Sequence, residues 1–259
     1  MVTPLPHQAL GNTGLATARL SLGTVKLGRD KAVKYPKAFT IPDDRMAKAL
    51  LDRARALGIN LLDTAPAYGT SEARLGKLLT GERSDWILCT KVGESFDGRT
   101  STHDFSPEAC IASIERSLLR LCTDCLDIVL IHSDGNDRKI LNEIGTLDAL
   151  KKLKSEGKVR AVGISHKTTE GARIALQQGV DVIMATLNPE EREDEAVIAE
   201  AAAQGCAVMI KKALSSGHGT GSDLRFVATH KGVNTIVTGT INPDHLQENA
   251  TIVAAAQSD

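Results

Sequence analysis

Short runs of apolar residues recur along this chain, separated by longer segments in which apolar residues return at helical spacing. In five places the helical pattern ends at a glycine and an apolar run follows, as at Gly58 before Ile59. Glycine favours helix termination, and uninterrupted apolar runs are typical of strands buried on both faces. The pattern predicts eight strands, at Leu20–Leu22, Ile59–Asp63, Trp86–Lys91, Asp127–His132, Val159–Ser165, Val182–Met184, Ala207–Ile210 and Thr235–Val237.

Each predicted strand is followed by a helix or by a loop long enough to hold one. Eight such units in 259 residues favour a closed barrel over a doubly wound sheet. No linker or change of composition separates a second domain. We therefore predict an α/β protein, a single-domain (β/α)8 TIM barrel over residues 1–259. Between His7 and Leu22, the turn residues Gly11-Asn12-Thr13-Gly14 predict an additional N-terminal β-hairpin.

Composition and charge exclude several classes of protein. The net charge of −1 provides no overall field for nucleic acid or an anionic membrane. No apolar run approaches the roughly 20 residues of a membrane span. The first residues, Met1 to His7, have neither the basic head nor the apolar stretch of a signal peptide. These features predict a cytoplasmic protein that binds neither nucleic acid nor membranes.

The cysteines predict no metal site. Their number, five, is odd, and reduced thiols are the simplest state in an intracellular chain. Cys122 and Cys125 form a Cys-x-x-Cys pair, but no second pair lies nearby to complete a zinc site. We expect a structural role for both residues.

Ionisable residues close three consecutive predicted strands. Asp63 ends the second strand and Tyr68 follows it in a loop framed by a proline and a glycine, while Lys91 ends the third strand and His132 the fourth. In a barrel these positions face one rim, so the four side chains should be neighbours. An ammonium about 4 Å from a phenol favours the phenolate by roughly 4 kcal/mol at an effective dielectric of 20. Lys91 should therefore lower the pKa of Tyr68, while Asp63 keeps Lys91 charged and a mostly neutral His132 orients a carbonyl oxygen.

Such a set can polarise and protonate a carbonyl but lacks a hydride source, which a nicotinamide would supply. It resembles the aldo-keto reductase family. The matching segments are Gly23-Thr24, Leu62-Asp63-Thr64-Ala65 with Tyr68-Gly69, Thr90-Lys91, Leu130-Ile131-His132, Gly163-Ile164-Ser165 and Gly239-Thr240-Ile241-Asn242-Pro243 with His245-Leu246 and Glu248-Asn249. The resemblance implies an NADPH-dependent oxidoreductase that reduces aldehydes or ketones to alcohols, with Tyr68 as general acid, Lys91 and Asp63 tuning it, and His132 positioning the carbonyl.

The resemblance also implies a cofactor groove along the rim. Asp63 and Thr24 would lie by the nicotinamide ribose, Ser165 by the carboxamide, and the last helix would receive the adenosine end. The complete set of expected cofactor residues is Gly23, Thr24, Asp63, Ser165, His166, Leu187, Ala213, Leu214, Ser215, Gly239, Thr240, Asn242, His245, Glu248 and Asn249.

Three residues depart from the family pattern around the nicotinamide. His166 stands where the family usually has Asn, Met184 where it has Gln, and Leu187 where it has a Tyr that stacks on the ring. Gly239 and His245 replace the basic pair that binds the 2′-phosphate of NADPH in many relatives. The expectation of NADPH therefore comes from the usual cofactor of the family and not from these residues, and NADH is the alternative.

Other functional readings remain open. One is a nicotinamide-binding regulatory or sensor protein with little turnover, and another is a barrel enzyme without redox chemistry, such as an isomerase. The loop from Val25 to Pro42 carries Lys26, Arg29, Lys31, Lys34 and Lys37 against Asp30. If it overhangs the pocket, it would favour anionic substrates or the phosphates of a cofactor. The expected partner is a small carbonyl compound; its identity is not encoded in any motif, and a monomer is only slightly favoured.

Overall fold

The computed structural model describes residues 3–257, and its centre is a closed barrel of eight parallel strands. The barrel strands follow chain order around the ring, and the last pairs with the first. They are β3 (Leu20–Gly23), β4 (Leu61–Asp63), β5 (Ile87–Val92), β8 (Leu126–His132), β9 (Val159–Ser165), β10 (Val182–Thr186), β11 (Ala207–Lys211) and β12 (Thr235–Thr238). The predicted (β/α)8 barrel and its eight strands are confirmed.

Helices surround the barrel, and several of them begin at capping residues that the sequence provides. The Asp43 carboxylate accepts from the backbone amide of Met46, and the Ser106 hydroxyl accepts from that of Ala109. The helices are α1 (Asp44–Ala56), α2 (Ser71–Leu78), α3 (Pro107–Leu121), α4 (Asp137–Lys139, continued by a π-helical turn over Ile140–Ile144), α5 (Thr146–Ser155), α6 (Thr169–Gln177), α7 (Glu195–Ala203), α8 (Gly221–Thr229) and α9 (Pro243–Gln257). Over residues 3–257 the helices are too short or too polar for any to traverse a lipid bilayer.

Two antiparallel hairpins lie outside the ring. The predicted N-terminal hairpin pairs β1 (His7–Ala9) with β2 (Ala16–Ala18), and its Leu10 and Leu15 pack into the barrel interior. The second hairpin, β6 (Glu94–Phe96) with β7 (Ser101–His103), follows β5 directly and was not predicted.

The core has two layers because successive strand residues point to opposite faces. Leu61, Cys89 and Leu130 point into the barrel, where they pack with each other and with interior residues of the later strands. Their chain neighbours Leu62 and Val129 point outward and pack against the helices. The alternation fixes which strand residues face the axis of the barrel, and it continues to the carboxyl ends of the strands.

Candidate active site

At the carboxyl ends of the strands, the next layer of interior side chains above the apolar layers is polar. Asp63 lies two residues after the interior Leu61, Lys91 two after Cys89 and His132 two after Leu130, so all three side chains face the barrel axis. Strand register keeps them adjacent, since Asp63 pairs with Cys89 and Lys91 with Leu130. The predicted convergence of the strand ends is therefore present.

Lys91 and Asp63 form a buried ion pair. Lys91 Nζ lies 2.6 Å from Asp63 Oδ1 and also donates to the carbonyl oxygen of Thr64 at 2.9 Å. The two side chains are 2% and 5% exposed. Burial alone would lower the pKa of Lys91, but Asp63 and Tyr68 together hold it above its usual range. Lys91 is thus a permanent positive charge beneath the site.

Tyr68 is held over this pair by a tight turn. It ends a 3₁₀ turn, Pro66–Tyr68, and Lys91 Nζ lies 4.8 Å from the centre of its ring. Gly69 follows with φ +61°, and its backbone contacts the backbone of Gly28. A Cβ added to Gly28 would lie 2.4 Å from the carbonyl oxygen of Tyr68. The turn and the loop after β3 therefore pack backbone against backbone, which fixes the direction of the phenol.

Burial, and not Lys91, dominates the acidity of Tyr68. Removal from water raises the pKa of the phenol, Lys91 lowers it by less, and Asp63 raises it further, so the pKa lies above the usual range. Lys91 lowers the pKa of Tyr68 as expected, but burial outweighs this effect, and the net shift in the free protein is upward. The phenol is consequently fully protonated at neutral pH, as a proton donor must be.

His132 lies between Tyr68 and an acidic side chain from the unpredicted hairpin. Its ring is perpendicular to that of Tyr68, with centroids 6.4 Å apart, and its Nδ1 lies 2.8 Å from Glu94 Oε2, without the alignment of a hydrogen bond. Burial lowers the pKa of His132, Glu94 partly offsets this, and Lys91 lowers it again. The Glu94 carboxylate would be disfavoured by burial, but the contact with His132 lowers its pKa to about 2. Glu94 is therefore ionised, whereas His132 is neutral at pH 7.

Two contiguous cavities open above these residues, with volumes of about 170 and 380 Å³. The smaller contains the four predicted catalytic residues together with Ser165, Met184 and Gly23. The larger extends from Tyr68 and His132 towards the loop after β11, where Ala213 and Leu214 line it. A groove thus leads from the ionisable cluster along the rim.

Several predicted cofactor residues lie along this groove, and others lie in the loop after β11 and at the start of α9. Gly23, Ser165, Ala213, Leu214 and Gly239 line the cavities directly. Ser215 begins a 3₁₀ turn at the far edge. Thr240 and Asn242 cap the start of α9, and its first turns carry His245, Glu248 and Asn249.

Three predicted cofactor residues point elsewhere. Leu187 is completely buried in the layer between strands and helices, so it does not face the groove. The Thr24 hydroxyl donates to the carbonyl oxygen of Asp63 and accepts from Ser71, behind the rim. His166 is 2% exposed and its Nε2 lies 2.9 Å from Asp194 Oδ2. The side chains of these residues pack within the protein, and their contact with the cofactor stays a prediction.

Comparison with known proteins identifies the family of this chain. The profile of the Aldo/keto reductase family matches residues 19–224. The chain belongs to this family. It is 42% identical over 171 residues to L-galactose dehydrogenase of Arabidopsis thaliana, which covers 63% of this chain and 49% of that protein. It is 31% identical over 200 residues to the NADH-specific methylglyoxal reductase of Escherichia coli, covering 72% and 60%. The chain thus spans about half to three fifths of the length of these curated relatives.

Two solved structures of aldo-keto reductase type match almost end to end. The candidate aldo-keto reductase PA4992 of Pseudomonas aeruginosa superimposes with a TM-score of 0.89 at 49% identity, covering 97% of this chain and 95% of that one. The holo form of aldo-keto reductase AKR11C1 of Bacillus halodurans gives 0.82 at 25% identity, with coverage of 96% and 91%. Members of the family are oxidoreductases that use nicotinamide cofactors.

The structure of this aldo-keto reductase adds three residues to the site. Lys211 lines both cavities and donates to Ser165 Oγ at 3.0 Å and to the carbonyl oxygen of His166 at 2.6 Å. The same alternation that identifies Lys91 could have found it, since Lys211 lies two residues after the interior Met209. Tyr35 and Glu94 also line the larger cavity, but both lie on irregular or hairpin segments that carry no strand-end signal.

The same aldo-keto reductase site shows no metal cage. Among residues 3–257, His, Cys, Asp and Glu side chains do not gather in any group of three or more able to hold a metal ion. The five cysteines are free thiols, with Cys122 exposed and Cys125 partly buried.

Proposed function

We propose that this protein is an NADPH-dependent reductase that converts aldehydes or ketones to alcohols, with Tyr68 as the general acid. The observation that carries the proposal is the position of Lys91, whose ammonium is paired with Asp63 and lies under the ring of Tyr68 at the floor of a cavity. A protonated phenol over a fixed positive charge can give up its proton to a nearby oxygen that is becoming an alkoxide.

The rim residues fit a nicotinamide dinucleotide. Gly23 and Gly239 line the smaller cavity without side chains, and a Cβ on Gly239 would lie 3.0 Å from the Tyr35 hydroxyl. Ser165 and Lys211 present polar hydrogen-bonding groups at the inner end of the groove. Ala213, Leu214 and the turn that follows would hold the pyrophosphate, and the start of α9 the adenosine end. When bound, the cofactor supplies a hydride to the carbonyl carbon.

Residues of the chain then donate the proton and stabilise the charge that its transfer leaves behind. Tyr68 gives its proton to the carbonyl oxygen, and the phenolate that forms is stabilised by the Lys91 ammonium beneath it. Asp63 keeps the charge of Lys91 in place. His132, neutral and turned edge-on to Tyr68, contributes to holding the substrate oxygen at the phenol.

The direct test is reduction of a reactive aromatic aldehyde or a dicarbonyl, followed by loss of NADPH absorbance. NADPH and NADH should be titrated side by side, because the adenosine end offers a single imidazole, His245, beside the acidic Asp244. Sustained turnover supports the proposal. Tight cofactor binding without turnover would instead assign the regulatory or sensor role, and absence of nicotinamide binding would refute both.

A further inference from the structure

The two cavities carry an excess of positive charge. Their lining contains two acidic side chains, Asp63 and Glu94. The basic side chains lining the same cavities are Arg29, Lys34, Lys91, Lys167, Lys211 and Lys212. Asp63 forms an ion pair with Lys91, and Glu94 contacts His132 and Arg29. The remaining lysines therefore face the cavity space without compensation from within it.

Three of these lysines lack a carboxylate partner. Among residues 3–257, no carboxylate oxygen lies within 4.0 Å of the ammonium groups of Lys34, Lys167 or Lys211. Lys212 is paired with the exposed Glu191 at 2.9 Å. Lys211 donates to neutral oxygen atoms alone, namely Ser165 Oγ and the carbonyl oxygens of His166 and Met184. A cation held this way retains most of its attraction for an anion in the cavity.

Nearby acids offset these cations only from a distance, because none of them pairs directly with Lys167 or Lys211 among the described residues. Asp137 Oδ2 accepts from the backbone amides of Lys167 and Thr168 and from the Thr168 hydroxyl. Asp194 is occupied by His166. The ammonium groups also disfavour one another: burial and then Lys167 lower the pKa of Lys211 to about 7. Like charges gathered at a cavity are unfavourable unless an anion joins them.

A cofactor pyrophosphate would compensate the positive charge at one end of the groove and not at the other. Lys34 and Lys212 line the larger cavity together with Ala213 and Leu214, where the pyrophosphate is proposed to lie. Lys167 lines the smaller cavity with Tyr68, Lys91 and His132, and is absent from the lining around Ala213 and Leu214. Lys167 is exposed at the mouth of the proposed carbonyl site, so a substrate can reach it.

We propose that the substrate is an aldehyde or ketone that also carries a carboxylate, which Lys167 binds. This inference rests on the proposed function, because it concerns the substrate of the same site. The exposed loop cation Lys34 adds to the positive field of the larger cavity, which would guide anions inward.

The proposal is tested with a matched pair of carbonyls, 4-carboxybenzaldehyde and methyl 4-formylbenzoate. The ester is the more strongly electron-withdrawing substituent, so intrinsic reactivity works against the expected result. At saturating cofactor and low salt, kcat/KM for the acid should exceed that for the ester about tenfold, the factor that corresponds to one charge-assisted hydrogen bond. The preference should shrink at high salt, which screens exposed charges. Equal values for acid and ester would overturn the proposal, while still establishing reductase activity.

Variants assign the effect to a residue. Lys167→Gln should remove most of the preference for the acid and change kcat/KM for the ester less than about twofold, whereas Lys167→Arg should restore the preference. Lys77→Gln is the matched control, because Lys77 is exposed on α2, outside the cavity lining, and undergoes the same change of charge. A preference that survives in Lys167→Gln would overturn the assignment.

A binding measurement decides the outcome even if neither aldehyde is reduced. Benzoate, but not benzamide, should raise the thermal unfolding midpoint of the wild type, and this difference should disappear in Lys167→Gln. It should persist when NADP⁺ is saturating. No stabilisation by benzoate, or stabilisation that NADP⁺ abolishes, would overturn the proposal, the second result meaning that Lys167 serves the phosphates of the cofactor.

Discussion

The Lys91–Asp63 pair should behave as a buried ion pair whose partners cannot be removed one at a time. With Nζ 2.6 Å from Oδ1 and both side chains at least 95% buried, each charge is compensated chiefly by the other. Replacing one partner, as in Lys91→Met or Asp63→Asn, should therefore cost about 3–5 kcal/mol of unfolding free energy. For a chain of this size that corresponds to a fall in Tm of roughly 6–20 °C. Urea unfolding followed by circular dichroism measures the loss directly.

The double variant distinguishes this reasoning from simple loss of packing. If the single variants suffer because they leave a buried charge alone, Asp63→Asn/Lys91→Met should be more stable than the sum of the two losses predicts. The matched control is Glu200→Gln, which breaks an exposed ion pair with Arg173 at 2.9 Å and should leave the unfolding midpoint nearly unchanged. Single losses below about 1 kcal/mol, or strictly additive losses in the double variant, would refute the assignment of a mutually dependent buried pair.

Three further substitutions have expected outcomes. Tyr68→Phe removes the proton donor and should lower kcat roughly 10²- to 10⁴-fold while cofactor affinity, measured by fluorescence titration, stays near normal; wild-type kcat would exclude Tyr68 as the acid. Glu94→Gln deletes the carboxylate that raises the pKa of His132, so NMR titration should show that pKa falling further, and an unchanged value would contradict the contact. Because the pKa of Glu94 is lowered to about 2, its stabilising contribution is present at neutral pH and lost as the pH falls from 4.5 towards 2, a dependence that the Gln variant should lack. Gly28→Ala places a Cβ 2.2 Å from the Ser71 amide nitrogen and 2.4 Å from the Tyr68 carbonyl oxygen, which should cost about 1–3 kcal/mol in urea unfolding; an unchanged midpoint would mean that the two loops separate easily.

The sequence was sufficient for the barrel and for the convergence of its strand ends, because both depend on local patterns. Apolar runs define the strands, and once the barrel closes, alternation along β4, β5 and β8 places Asp63, Lys91 and His132 in one interior layer. Lys211 follows from the same rule applied to β11, and its chemistry was overlooked because a lysine at the start of a loop is usually solvated.

Other features depend on packing that no local pattern encodes. The β6–β7 hairpin is built mostly from polar residues, so nothing in the sequence predicted that Glu94 would reach His132. Leu187 follows β10 in irregular structure, where the direction of a side chain is set by the surrounding core. The net direction of the Tyr68 pKa shift depends on burial by the whole rim, which no local pattern encodes, whereas the attraction of Lys91 can be estimated from one distance.

The backbone contact between Gly28 and the turn that carries Tyr68 limits how this protein can be redesigned. Segments after barrel strands are natural units to exchange when a new specificity is wanted, since they lie outside the hydrogen-bonded ring. Here the segment after β3 and the residues from Pro66 to Ser71 fit together without space for even a methyl group. A graft that replaces one of them alone would displace the phenol, so the two must be transplanted together, as a single part assembled from separate stretches of chain.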